Sequence, residues 1–63
     1  MYTLGDTSGS NRDAFDALES AFGAKEFDAS EAAAVLQSAL GFTELEASRL
    51  TKELIKSGIM VEV

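Results

Sequence analysis

The last third of the chain, residues 42–63, most constrains what the protein can fold into; its sequence is FTELEASRLTKELIKSGIMVEV. Thr43 followed three residues later by Glu46 is typical of a capped helix start, and Gly58 is suited to end that helix in a left-handed conformation. After this glycine, apolar residues alternate over residues 59–63, as they do in a short strand. The segment therefore predicts a helix that turns directly into a terminal β-strand.

The helix predicted in this segment has two different faces when its residues are placed at about 100° intervals. One face comprises Thr43, Ala47, Leu50 and Leu54. The opposite face comprises Leu45 and three of the chain's five basic residues, Arg49, Lys52 and Lys56, which we call the basic stripe. We therefore expect the helix to pack on a core with its first face and to offer its second face to an anionic partner.

Two earlier segments show the same pattern of a capped start and a glycine end. The first helix is predicted from Ser10 to Gly23 and the second from Asp28 to Gly41. Asp28 is followed three residues later by a glutamate, which completes a capping pair. The expected core comprises Phe15, Leu18, Phe22, Leu36, Leu50 and Leu54.

A small sheet is expected beside the three helices, because a terminal strand must find partners for its backbone groups. We predict that residues 59–63 pair with residues 25–27, and that residues 1–4 can join them. Residues 1–9 are predicted to be either a flexible segment or an edge strand, since GDTSGS is rich in turn-forming residues. The predicted fold class is a single mostly α domain over residues 1–63, a three-helix helix-turn-helix core with a minimal two- or three-stranded sheet.

The composition of the chain limits the classes of function that we expect for it. The chain lacks cysteine and histidine, and it contains no nucleophile beside a base and no phosphate-binding glycine loop. We therefore expect no enzyme activity, no catalytic residue, no cofactor, no metal site and no small-molecule substrate. No apolar run approaches the roughly 18 residues of a membrane span, and the N-terminus has no leader pattern, so a cytoplasmic protein without a membrane partner is predicted. The net charge of −6 opposes non-specific attraction to nucleic acid.

The order of these features resembles the winged helix-turn-helix superfamily from Asp13 onward. The resemblance rests on a short strand near Phe27, a helix opened by DASE, a third helix containing ASRL, and the segment LIKSGI after it. In that family the third helix is the recognition helix, and the glycine after it leads into the first wing strand. The resemblance implies DNA contact by Ser48, Arg49, Lys52 and Lys56.

Two features differ from the family's usual pattern. The second helix with its turn is about one helical turn longer, and a single strand follows the third helix, so the hairpin wing is absent or replaced by the N-terminal strand. Acidic residues also stand at two helix starts: Asp28, Glu31, Glu44 and Glu46.

The acidic, alanine-rich, cysteine-free composition is similar to that of proteins from salt-loving archaea, whose DNA-binding proteins can be acidic too.

Two functions remain open from the sequence. The first is a small DNA-binding, transcription-regulatory protein that acts as a dimer through its third helix. The alternative is a protein-protein interaction or dimerisation module on the same scaffold with no DNA binding, using Leu45, Ile55 and Ala34. The segment LGF also resembles a loop of small ubiquitin-binding three-helix domains, although the terminal strand does not fit them.

Overall fold

A computed structural model describes residues 1–5 and 11–63 of the chain. Its elements in chain order are β1 (Tyr2–Leu4), α1 (Arg12–Phe22), α2 (Ala29–Leu40), α3 (Glu44–Ser57) and β2 (Met60–Glu62). The predicted mostly α class is confirmed: three helices form a helix-turn-helix core beside a small antiparallel sheet. The predicted first-helix start at Ser10 and part of the N-terminal segment lie outside the described residues.

The predicted starts of α2 and α3 are formed by hydrogen bonds close in sequence. The Asp28 N–H donates to Glu31 Oε1 at 2.9 Å. At α3 the bonding is reciprocal, since the Thr43 N–H donates to Glu46 Oε1 at 3.0 Å and the Glu46 N–H donates to Thr43 Oγ1 at 3.2 Å. These bonds satisfy N–H groups that a helix start otherwise leaves without partners.

Gly58 ends α3 and sends the chain back along the core. Its φ of 87° lies in the left-handed region, which most residues with a side chain avoid. The Gly58 N–H donates to the carbonyl of Ile55 at 3.3 Å, which closes the last turn. Ile59 and Met60 follow, and both are buried. The predicted direct turn from α3 into a terminal strand is present in the structure.

The sheet differs from the prediction in which strands pair. β2 pairs antiparallel with β1, with Tyr2 opposite Glu62 and Leu4 opposite Met60. Phe27 bonds to the other edge of β1: the Tyr2 N–H donates to the Phe27 carbonyl at 2.8 Å, and the Phe27 N–H donates to the Tyr2 carbonyl at 2.9 Å.

The prediction that residues 25–27 pair with residues 59–63 is therefore wrong, because β1 lies between them. β1 and β2 are the two strands of the sheet, and on its other edge β1 meets Phe27 in a single bridge at Tyr2. The physical reason is that successive residues of a strand direct their backbone groups to opposite edges. Tyr2 bonds towards Phe27, whereas Met1 accepts a bond from the Val63 N–H at 3.1 Å on the other edge.

The core lies between the helices and the inner face of the sheet. Of the six residues predicted for it, Leu18, Leu36 and Leu54 are fully buried. The other three, Phe15, Phe22 and Leu50, are half-buried and pack against it. Two large side chains that the prediction left out, Phe27 and Met60, are 0% and 1% exposed.

The buried face of α3 is turned slightly from the predicted one. Ala47, Thr51 and Leu54 are its buried residues, and Leu50 lies at the margin. Thr51 can occupy the core because its Oγ1 donates to the Ala47 carbonyl at 2.7 Å, which satisfies the hydroxyl. The opposite face of α3 is therefore left open to solvent, and it carries the basic stripe.

Candidate binding surface on the third helix

The predicted DNA-contacting residues lie together on the exposed side of α3. Ser48, Arg49, Lys52 and Lys56 are all exposed. Leu45 is 61% exposed, and it precedes Arg49 by one helical turn. From Leu45 to Lys56 this row extends about 16 Å along the helix axis. The structure thus forms one continuous row that begins with an apolar side chain and continues with cations.

A shallow groove of about 590 Å³ follows the basic stripe. Its lining comprises Arg49, Lys52, Glu53, Ile55 and Lys56. Ile55 is half-buried, and the long side chains of the basic residues contribute methylene groups as well as charge. The groove therefore combines apolar surface with three positive charges.

A second groove of about 320 Å³ lies where the first turns of α2 meet α3. It shares Lys52 and Ile55 with the first groove. Its other lining residues are Ala29, Ser30, Ala33, Ser48 and Thr51. The exposed side of α3 is thus continuous with the beginning of α2.

The residues predicted for protein interaction are only partly brought together. Ile55 lies in both grooves beside the basic stripe. Leu45 is in line with the stripe but lines neither groove, and Ala34 is exposed on α2 and also lines neither. Of the three, Ala34 is thus the residue that the structure does not group with α3.

Sequence reasoning did not single out the α2 residues of the second groove or Glu53 of the first. Ala29, Ser30 and Ala33 are small and carry no charge, so they give no chemical signal by themselves. Their role in lining a groove depends on how α2 crosses α3, which local periodicity does not specify. Small residues allow close approach of another backbone, and this is the weak signal that the start of α2 offers.

The charges around the stripe are of both signs. In the part of the chain that the structure describes, the one ion pair is between Arg12 and Asp16 on α1, with Nε and Oδ2 3.9 Å apart, so no described acid pairs with the stripe. Glu44 and Glu46 stand in the first turn of α3. The Glu46 carboxylate caps the start of α3. Its pKa is lowered by the hydrogen bond from the Thr43 N–H and further by the Thr43 side chain.

The lowered pKa of Glu46 predicts a dependence of stability on pH. Because the folded pKa lies below the ordinary value of 4.5, the charged cap stabilises the protein fully above that value. This contribution is lost as the pH falls through the lower folded pKa. Glu46→Gln keeps an acceptor for the Thr43 N–H but does not titrate, so it serves as the matched control.

Urea unfolding followed by circular dichroism between pH 3 and pH 6 measures the effect. We expect the parent to lose stability relative to Glu46→Gln as the pH is lowered below about 4.5. Parallel stability curves for the two proteins over this range would contradict the role given to the Glu46 carboxylate.

Among residues 1–5 and 11–63, no three acidic, histidine or cysteine side chains come together in a way that could hold a metal ion. None of the described helices is long and apolar enough to cross a membrane. Comparison with known proteins found no matching family model, no matching curated protein and no matching solved structure. The exposed side of α3 is therefore the candidate site on which a functional proposal rests.

Proposed function

We propose that this protein is a small, non-catalytic helix-turn-helix domain that binds duplex DNA with α3 and regulates transcription in the cytoplasm. The observation that supports the proposal is the basic stripe: Arg49, Lys52 and Lys56 are exposed on the side of α3 opposite the buried Ala47 and Leu54. A helix whose cations face away from the core is free to enter a major groove about 12 Å wide.

Each residue has a distinct role in this proposal. Arg49 lies one turn after Leu45, near enough to the start of α3 to read a base edge, and its planar guanidinium can bond a guanine in two places. Lys52 and Lys56 lie further along the helix and contact phosphates on the groove wall. Ser48 adds a hydroxyl on the side that faces α2.

The number of charges predicts weak binding by one copy. The two phosphate contacts of Lys52 and Lys56 give a slope of about −1.8 for the logarithm of affinity against the logarithm of salt concentration. A net charge of −6 works against these contacts at longer range. We therefore propose that two copies bind together, so that the contacts from two α3 helices add.

A protein partner is the second candidate, and the grooves favour it. Ile55 contributes apolar surface beside Lys52 in both grooves, and Leu45 is largely exposed in line with the stripe. Such a surface also suits a protein segment that carries apolar and acidic side chains. In this case α3 would mediate protein interaction or dimerisation without DNA binding.

A titration of a mixed-sequence 20-base-pair duplex between 50 and 200 mM salt tests the first proposal. With two copies bound, we expect affinity to fall about 150-fold over this range, and Lys52→Ala or Lys56→Ala to lower the salt slope by about one for each copy bound. Lys25→Ala is the matched control, since Lys25 is an exposed lysine outside α3 and should leave the slope unchanged.

The same proteins distinguish the second candidate. If a protein or a second copy is the partner, removal of one stripe charge should have little effect, whereas Leu45→Asp should abolish association seen by light scattering. Absence of DNA binding by the parent protein at 50 mM salt would refute the DNA proposal, since counterion release favours binding most at low salt.

A further inference from the structure

We infer that Leu45 is a specificity-determining residue that contacts the C5-methyl group of thymine, within a DNA site that also offers a guanine to Arg49. This inference rests on the proposed DNA binding by α3. The starting observation is the exposure of Leu45: it is 61% exposed at the beginning of the row that carries the basic stripe. The other exposed large hydrophobic residues of the described chain lie in or beside the two strands: Met1, Val61 and Val63.

The length of the row determines which of its members can reach the bases. The row from Leu45 to Lys56 extends about 16 Å along the helix, and a helix that lies in the major groove places its N-terminal residues at the base edges. The far end of the row, which carries Lys52 and Lys56, then lies at the phosphates. The lysines are flexible cations suited to phosphates, whereas a leucine side chain gains nothing from a phosphate.

The acids in the first turn of α3 support the same orientation. Glu44 and Glu46 lie about 100° to either side of Leu45 on the helix, so neither is part of the row. A carboxylate is repelled by phosphates but can accept a hydrogen bond from cytosine in the major groove. The start of α3 is thus better placed at the base edges, between the two phosphate walls, than against either wall.

The chemistry of the groove then identifies the contact of Leu45. The thymine C5-methyl is the apolar group that base edges present in the major groove. Leu45 precedes Arg49 by about 6 Å along the helix, which corresponds to roughly two base steps of 3.4 Å. The inferred site therefore has a thymine within about two base pairs of the guanine that Arg49 contacts.

The experiment uses DNA in which uracil replaces thymine, since this change removes the methyl group and leaves base pairing intact. Duplexes that bind the parent protein most tightly are first selected from a random 20-base-pair library at 50 mM salt. The selected duplexes are then remade with deoxyuridine and titrated again. We expect the parent to bind the uracil duplexes about fourfold more weakly for one lost methyl contact.

Leu45→Ala completes the test. It should bind thymine and uracil duplexes equally, whereas Leu45→Met should keep a preference for thymine because it retains an apolar side chain of similar length. Thermal melting should be close to that of the parent for both variants, because Leu45 is exposed.

The possible failures are distinguishable. If the parent binds selected duplexes but does not distinguish thymine from uracil, the inference about Leu45 is overturned and the proposed DNA binding stands. If Leu45→Ala keeps the parent's preference for thymine, another residue contacts the methyl group and the inference is likewise overturned. If no duplex is bound at 50 mM salt, the proposed function itself fails, and an apolar protein contact for Leu45 replaces this one.

Discussion

Phe27→Ala should lower the free energy of unfolding by about 3–5 kcal/mol, the largest loss that we expect from a single substitution. Phe27 is completely buried, and its ring stacks on that of Phe22 with centroids 4.5 Å apart and an angle of 12° between the planes. The substitution leaves a cavity and removes an aromatic contact. A protein of 63 residues has a total stability of about 3–9 kcal/mol, so much of the variant should be unfolded.

Phe22→Ala is the matched control, since Phe22 belongs to the same stacked pair but is only half-buried. Phe22→Ala should also remove the stacking contact, but it removes less buried apolar surface. It should therefore lower the free energy of unfolding by less than Phe27→Ala does. Circular dichroism during urea unfolding measures both variants against the parent. An unfolding midpoint for Phe27→Ala close to that of the parent, or a smaller loss than for Phe22→Ala, would contradict the position given to Phe27.

Leu54→Ala should lower the free energy of unfolding by about 2–5 kcal/mol, and Leu50→Ala should lower it by clearly less. Leu54 is 0% exposed, whereas Leu50 is half-buried one turn earlier on the same helix. The two substitutions remove the same atoms from the same type of backbone, so the difference between them isolates burial. Equal losses of stability in urea would show that Leu50 is buried as deeply as Leu54 and would contradict its position at the margin of the core.

Much of the fold follows from local signals in the sequence. The starts of α2 and α3 and the glycine ends were predictable because each depends on residues three or four positions apart, such as Thr43 and Glu46. The pairing of the strands depends instead on residues far apart in sequence. Residues 25–27 and residues 1–4 are both short segments whose composition suits a strand. The sequence therefore could not show which of the two pairs with β2.

The burial of individual residues was likewise only partly predictable from the sequence. Phe27 was expected in a short strand and was not included in the predicted core, although it is completely buried. Thr51 was not among the residues predicted for the buried face of α3, and its bond to the Ala47 carbonyl explains how its hydroxyl can be buried. The resulting small rotation of α3 moved Leu50 to the margin of the core.

The exposure of the basic stripe was predictable from periodicity, but the shape of the surface around it was not. The stripe follows from the 3.6-residue repeat of a single helix. The two grooves depend on how α2 lies against α3, and so does the separation of Ala34 from Ile55. Whether the surface binds DNA or protein is a question of chemistry that the proposed titrations answer.

The central place of β1 has a consequence for the order of folding. Because Tyr2 pairs with Glu62, the two ends of the described chain must come together before this contact forms. Closing a loop of that length has an entropic cost, so we expect the contact to form slowly. The helices have short connections and can associate first. β1 should then join late, and because it bonds to Phe27 and β2 at once, its release would free both edges in a single cooperative opening. Amide hydrogen exchange would register that opening as a shared rate at Thr3, Phe27 and Val61.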